Sequence, residues 1–279
     1  MMETGCGKSS LRIVFWGEDA FSCVVLRSLV NAGHQVALVV TPFYDNLKYK
    51  RLALTCSTFG IPFLREKKIN SAEVYEAVRR AEPDLCVIAH FERLIQAPLL
   101  SLPKMGFINL HPSLLPDYRG LAPQHWPIIN GEKEAGITVH YVDEGTDTGD
   151  IIIQRRFELT DEMYVSDLQK VWAEHYKTIM VEAIDSILNH RPLMVQRHLE
   201  GSYYGRLTEE QCRIRSEGSV HEAYNLVRGV SLPYFGARYD NFIIFRAHIV
   251  QRQEENLTDK PVIEFKDGRL VIEQYKEII

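Results

Sequence analysis

Asn109 and His111 stand on either side of Leu110, and Asp147 follows inside the run Gly145-Thr146-Asp147-Thr148-Gly149-Asp150. An amide, an imidazole and a carboxylate from two separated stretches suit acyl transfer without a covalent enzyme intermediate. An attacking amine must lose a proton, which an imidazole accepts. The carbonyl oxygen must hold negative charge, which amide hydrogens can face. In an extended segment, alternation puts Asn109 and His111 on one face. The plainer alternatives are an asparagine capping local backbone and an ordinary Asp/Gly turn. Asp143, Glu144 and Asp150 crowd around Asp147; among these neighbours Asp150 is the other candidate for the acidic role.

The run Asn109-x-His111-x-Ser113-Leu114-Leu115-Pro116-x-Tyr118-Arg119-Gly120, followed by Asp147-Thr148-Gly149, resembles the signature of the folate-dependent formyltransferases. That superfamily includes the sugar N-formyltransferases, methionyl-tRNA formyltransferase and glycinamide ribonucleotide transformylase. The likeness runs from about Leu11 to about Tyr239. It implies that Asn109, His111 and Asp147 are the catalytic residues, the family's spacing selecting Asp147. It also implies 10-formyltetrahydrofolate as formyl donor, its pterin held mostly by backbone from loops near Ala89–Ile95 and Tyr141–Asp147. The donor-binding positions carried over are Ala89, Phe91, Leu94, Ile95, Tyr141, Val142, Asp143 and Asp147. Ser113, Leu115, Tyr118, Arg119 and Gly120 are carried over as substrate-binding, with Arg119 either a structural ion-pair partner or a contact to an anionic substrate. Trp126 reads as core. The family uses no metal, and no ligand cluster here argues for one.

The elements that must position these residues alternate. Leu11–Trp16, Gln35–Val40, Ile61–Leu64, Asp84–Ala89 and Gly106–Leu110 read as buried strands. Helical spacing runs from about Asp19 to Ala32, from Leu47 to Phe59 and from Ser71 to Ala81, with Ser71 as cap. This predicts an α/β fold, a Rossmann-like, mostly parallel sheet with helices on both faces. Asn109 and His111 then fall at the carboxyl end of a strand, where open parallel sheets form their sites. Ile137–Val142 and Ile151–Phe157 are strands flanking the Asp147 loop, and Val165–His190 reads as one helical run closing the domain. Gly17-Glu18-Asp19-Ala20-Phe21-Ser22 is not G-x-G-x-x-G, which argues against a nicotinamide enzyme.

Arg191-Pro192 suggests a boundary. Short strands at Phe242–Phe245, Val262–Phe265 and Leu270–Glu273, with a turn at Asp267-Gly268, suit a small C-terminal, mainly-β, OB-like domain. The expected organisation is a flexible terminus over 1–10, a catalytic domain over 11–200 and a small domain over 201–279. Gly5-Cys6-Gly7-Lys8-Ser9 resembles the end of a phosphate-binding loop. It lacks the glycine five residues before Gly-Lys, where Met2 stands, and a preceding strand.

A net charge of -5 gives no global attraction to nucleic acid or acidic membranes. No apolar run approaches the roughly 20 residues of a membrane span. The polar start has no signal-peptide core, and the scattered Cys6, Cys23, Cys56, Cys86 and Cys212 read as reduced thiols. The expectation is a cytoplasmic enzyme.

The acceptor is read from the same resemblance. The chain is shorter than the tRNA enzymes, and Pro42–Leu52 is shorter than the basic loop they usually carry. Residues 203–279 hold about 11 basic and about 12 acidic side chains, without the positive field that RNA binding needs. A second domain argues against the single-domain purine-pathway transformylase. The chain is therefore most like the sugar N-formyltransferases, whose acceptor is the amine of a nucleotide-linked amino sugar. Methionyl-tRNA or another small amine is the alternative acceptor, and a non-catalytic folate- or nucleotide-binding module the alternative class. Many relatives pair as homodimers.

Overall fold

The computed structural model describes residues 10–44, 47–196, 200–250 and 260–278. The expected flexible terminus, bar Ser10, and its phosphate-loop look-alike lie outside them, as does Cys6. The chain folds as two compact units. One is built from residues up to His111, Ile137–Arg155 and Ala173–Glu200. The other takes Pro112–Gly136, Arg156–Trp172 and everything from Gly201. Tyr164 belongs to the hydrophobic cluster around the helix Val220–Val230, and Trp126 and Ile129 pack against it, so their stretches group with it.

In chain order the elements begin β1 (Arg12–Trp16), α1 (Ala20–Asn31), β2 (Gln35–Pro42), α2 (Lys50–Phe59), β3 (Phe63–Glu66), α3 (Ala72–Ala81), β4 (Leu85–Ala89), α4 (Ala97–Leu100) and β5 (Phe107–His111). They continue with β6 (Arg119–Gly120), α5 (Trp126–Ile129), β7 (Glu134–Tyr141), β8 (Ile151–Glu158), α6 (Val165–Tyr176) and α7 (Ile179–Leu188). The last are β9 (Tyr203–Tyr204), α8 (Val220–Val230), β10 (Ala237–Tyr239), β11 (Phe242–Val250), β12 (Val262–Glu264) and β13 (Arg269–Glu277).

The large sheet has the order β3-β2-β1-β4-β5-β7-β8. Its first five strands are mutually parallel, and β7 pairs antiparallel with β5. β4 is buried throughout, as is β1 beyond Arg12, because helices cover both faces; this is why they read as continuous apolar runs. One face packs Val14, Trp16, Val40, Ile88 and Phe107 against Val74 and Val78 of α3. Each such side chain contributes about 1.5–3 kcal/mol by leaving water.

Local chemistry sets most boundaries. Asp19 caps α1 in a reciprocal box with Ser22, and the Ser71 hydroxyl takes the Val74 amide to start α3. β3 begins at Phe63, two residues later than expected. Pro62 has no amide to donate, although its carbonyl accepts from Val39. The helical run expected over Val165–His190 is two helices. Arg155, from β8, reaches the Thr178 hydroxyl at 3.0 Å and the His175 carbonyl at 3.5 Å. Thr178 leaves helical geometry at φ -131. The His175 carbonyl takes the Thr178 amide at 3.2 Å, three residues on, where the continuing helix would use the fourth.

In the second unit, β10-β11-β13-β12 form the expected small antiparallel sheet. The Asp267-Gly268 turn is closed by the Phe265 amide on the Gly268 carbonyl at 2.9 Å. Val220, Ala223, Val227 and Val230 of α8 share one helical face in that unit's core, with Ile244, Leu270 and Ile272. Buried Arg228 is held by the carbonyls of Thr160 and Met163 and by Asn225 Oδ1. Cys23, Cys56, Cys86 and Cys212 are buried free thiols, as expected. No helix among the described residues is long and apolar enough to cross a membrane.

Candidate active site

β5 ends in Asn109-Leu110-His111. Leu110 packs into the core, while Asn109 and His111 share the other face. The antiparallel register sets Asn109 directly opposite His140 of β7. The loop between β7 and β8 returns Asp147 to the same place. Asn109 Nδ2 donates to Asp147 Oδ1 at 3.3 Å and approaches His140 Nε2 at 3.2 Å. Asp147 Oδ2 stands 3.5 Å from His111 Nδ1. The structure therefore brings Asn109, His111 and Asp147 together and adds His140.

Hydrogen positions follow from the partners. His140 Nδ1 lies 2.7 Å from the Tyr141 carbonyl, which only accepts, so Nδ1 carries a hydrogen. A carboxylate likewise only accepts, so the Asn109 atom facing Asp147 is the NH2. That NH2 also faces His140 Nε2. His140 Nε2 also stands 3.5 Å from Asp147 Oδ1, so the Asn109 amide, His140 and the carboxylate lie in mutual reach.

The Asp147 loop is built from side chains acting on backbone. Asp143 Oδ1 accepts from the Gly145 amide at 3.0 Å and from the Thr148 hydroxyl at 2.6 Å. Gln196 donates to the carbonyls of Asp147, at 3.1 Å, and Gly149, at 2.6 Å. Gly149 is required: a Cβ there would meet the Tyr141 carbonyl oxygen at 1.9 Å. Asp147 itself sits in the left-handed region, at φ 54. Asp150 closes the loop through its carbonyl, which takes the Tyr141 amide at 2.9 Å.

The segment Ala89–Ile95 leaves the carboxyl end of β4. It too contains a left-handed residue, His90 at φ 52. Among the described residues seven non-glycine residues have positive φ, and three of them, His90, Tyr118 and Asp147, fall in the motif segments and the loop after β4, which is where strain concentrates at functional sites. His90 is held by Asp19 Oδ2 at 3.3 Å, by the Tyr176 hydroxyl at 3.0 Å and by stacking on Phe21. Asn70 clamps the far end, donating to the Leu94 carbonyl and accepting from the Gln96 amide. Phe91 sets its ring edge-on to Trp16, and Leu94 is 72% exposed. Among the described residues, the peptide groups of Phe91, Arg93 and Ile95 have no hydrogen-bond partner in the protein. A flat heterocycle with donors and acceptors on its edge fits such a row of open peptide groups. Ala89, by contrast, lies inside β4. Across the sheet, Tyr141 ends β7, and the Val142 amide donates to the Phe107 carbonyl.

Ser113, Leu115, Tyr118, Arg119 and Gly120 fall in the second unit. All but Gly120 are buried. The Ser113 hydroxyl donates to the Asp117 carbonyl at 2.7 Å, and the Tyr118 hydroxyl to Glu132 at 2.6 Å. Burial and Glu132 push the Tyr118 phenol up, out of the ordinary range. Arg119 and Gly120 pair with Tyr203 and Tyr204 of β9, and the ring of Tyr118 stacks on that of Tyr204. Trp126, read as core, packs partly buried against the α8 cluster and against Tyr204. A cleft of about 230 Å³ opens among Ser113–Tyr118, Glu132, Glu134 and Arg156.

His140 and Gln196 escaped the sequence reading. His140 carried a signal, being a polar residue between apolar neighbours in a strand that pairs with β5. Gln196 carried none, since it acts through backbone carbonyls 49 and 47 residues away.

A model of the formyl transferase family matches residues 12–184. The chain is 33% identical, over 94% of its length and 86% of the other's, to a methionyl-tRNA formyltransferase of Pelotomaculum thermopropionicum. It is 36% identical to that of Ruminiclostridium cellulolyticum, over 81% of this chain and 75% of the other. Among solved structures it resembles WlaRD, a sugar 3N-formyl transferase, with a TM-score of 0.74 at 21% identity, covering 96% of this chain and 98% of that one. It also resembles an N-formyltransferase from Helicobacter canadensis in complex with folinic acid and dTDP-3-aminofucose, with a TM-score of 0.76 at 20% identity, covering 95% and 100%. At such identities the solved structures speak to the fold alone.

Proposed function

The chain belongs to the formyl transferase family, and from that premise we propose that it moves a formyl group from 10-formyltetrahydrofolate to a primary amine. The observation that carries this reading is the meeting of Asn109, His111 and Asp147 at one strand end. The donor supplies a formyl carbon bonded to a tetrahydrofolate nitrogen. The open peptide groups of Phe91, Arg93 and Ile95, with the Tyr141–Asp147 stretch opposite, form the cradle for its pterin.

His111 is the proton acceptor. Asp147, beside Nδ1, stabilises the imidazolium, so Nε2 is the nitrogen that takes the proton from the amine. Asn109 supplies hydrogen-bond donation to the carbonyl oxygen as charge develops there. Its present bonds, 3.2 and 3.3 Å long, are at the loose end for such contacts. One hydrogen can turn to a better acceptor, with the other still on His140 or Asp147. The new C–N bond forms, the bond to the tetrahydrofolate nitrogen breaks, and the proton held by His111 passes to that leaving nitrogen.

For the acceptor, the reading is the amine of a nucleotide-linked amino sugar. Two features support it. The stretch Pro42–Leu52 is short, with Lys48, Lys50 and Arg51 as its basic residues. Residues 203–279 carry about as many acidic as basic side chains, which offers little to a polyphosphate backbone. Methionyl-tRNA is the second reading, and the relatives at 33% and 36% identity favour it. The test is mass spectrometry after incubation with 10-formyltetrahydrofolate and a panel of amino-sugar nucleotides or methionyl-tRNA. A formyl gain on a sugar nucleotide is expected. Gain on the tRNA alone overturns the acceptor, and formate release independent of any amine overturns the reaction.

A further inference from the structure

The turn from β1 into α1 grips the Ala89–Ile95 segment at three points. The Ser22 hydroxyl donates to the Ala89 carbonyl at 2.9 Å. Asp19 Oδ2 holds His90 Nδ1 at 3.3 Å. Glu18 Oε1 accepts the Glu92 amide at 2.7 Å. Glu18 is buried at the carboxyl end of β1, where a carboxylate has little else to offset its loss of water. Gly17 makes the approach possible, since a Cβ there would meet Ser22 at 2.7 Å and the Phe15 ring at 2.8 Å. The turn that replaces a glycine-rich phosphate loop in this chain thus mounts the neighbouring loop.

We propose that Glu18 is a positioning residue for the formyl donor: through the Glu92 amide it fixes the curve of residues 90–95 and so presents their open peptide groups to the pterin. This rests on the reading that residues 89–95 carry the donor. The carboxylate touches neither donor nor acceptor. Its effect on the reaction therefore runs through donor affinity and the order of the loop. The charged groups facing it are Asp19 on its own turn, Glu92 from the mounted segment and Lys48 from the stretch before α2. Burial raises the Glu18 carboxyl to about 7, with the Glu92 amide opposing. Above that pH the amide is held by a carboxylate, and below it by a weaker neutral acceptor.

Three proteins test this: wild type, Glu18→Ala and Glu18→Gln. The readouts are amide exchange at Glu92 by NMR and equilibrium binding of 5-formyltetrahydrofolate from pH 5.5 to 8.5. Glu18→Ala is expected to speed Glu92 exchange and weaken folate binding about tenfold, with the acceptor KM unchanged. Glu18→Gln keeps an acceptor oxygen and restores binding. Wild-type affinity rises with pH through about 7, whereas Glu18→Gln is flat. Wild-type-like exchange and binding in Glu18→Ala overturn the positioning role while the formyl-transfer reading stands. If Glu18→Ala does not fold, identical pH profiles for wild type and Glu18→Gln overturn it instead. Absence of folate binding by the wild type removes both.

Discussion

Asn109 and Asp147, 38 residues apart in sequence, are joined by a 3.3 Å hydrogen bond from the amide to one carboxylate oxygen. The other carboxylate oxygen stands 3.5 Å from His111. One side chain thus touches both the candidate oxyanion donor and the candidate base. Removing either end of this arrangement has a distinct signature.

Asn109→Ala removes the donor while leaving β5 intact, because its side chain is only partly buried. Turnover is expected to fall by about 10²–10³, the usual cost of an oxyanion donor. Thermal unfolding in parallel checks that the fold persists. A fully active variant refutes the assignment.

Asp147 and Asp150 are separated by role. Asp147→Asn takes the charge from beside His111 and is expected to lower kcat by about 10² or more. Asp150 contributes its backbone carbonyl to the loop, which Asp150→Asn preserves, so this variant is expected to stay near wild type. Full pH–rate profiles of both variants make the comparison. Loss confined to Asp150→Asn moves the acidic role to that residue.

Gly149→Ala forces a methyl into the Tyr141 carbonyl. Relief requires the loop to move away from β7, carrying Asp147 with it. The expected result is a destabilisation of about 1–3 kcal/mol together with a fall in kcat, read by denaturant melts and steady-state kinetics. An unchanged melt and unchanged kcat contradict the packing described.

Glu18 also leaves a mark on stability. Its carboxyl rises from 4.5 to about 7 on folding, so between these values the folded chain binds more protons than the unfolded one. Stability from this group is then fully present at low pH and is lost as pH climbs through about 7. The span corresponds to up to ~3 kcal/mol. Glu18→Gln lacks this term, so it is expected to gain on the wild type as pH rises from 4.5 to 8. Urea titrations of both proteins at several pH values measure the gap. A constant gap argues that Glu18 does not titrate in that window.

Much of this was readable from residue types. β1, β2 and β4 announce themselves as apolar runs because both sheet faces are covered. α3 is marked at its start by Ser71, whose hydroxyl takes the Val74 amide. Asn109 and His111 were legible because a period of two survives in any strand. What escaped depends on partners remote in sequence. The break at Lys177–Thr178 is bonded by Arg155, from another element. His140 becomes part of the site only through its register with Asn109. In the sequence Glu18 is only a departure from a glycine fingerprint; its contact is with the Glu92 amide, 74 residues away.

The left-handed turns at His90 and Asp147 are braced from outside their own loops, by Asp19, Tyr176 and Phe21 in one case and, beside the loop's own Asp143, by Gln196 in the other. Neither loop is therefore portable. A chimera that transplants residues 89–95 or 143–150 onto a related scaffold will carry the letters without the curvature, unless the distant braces travel with them.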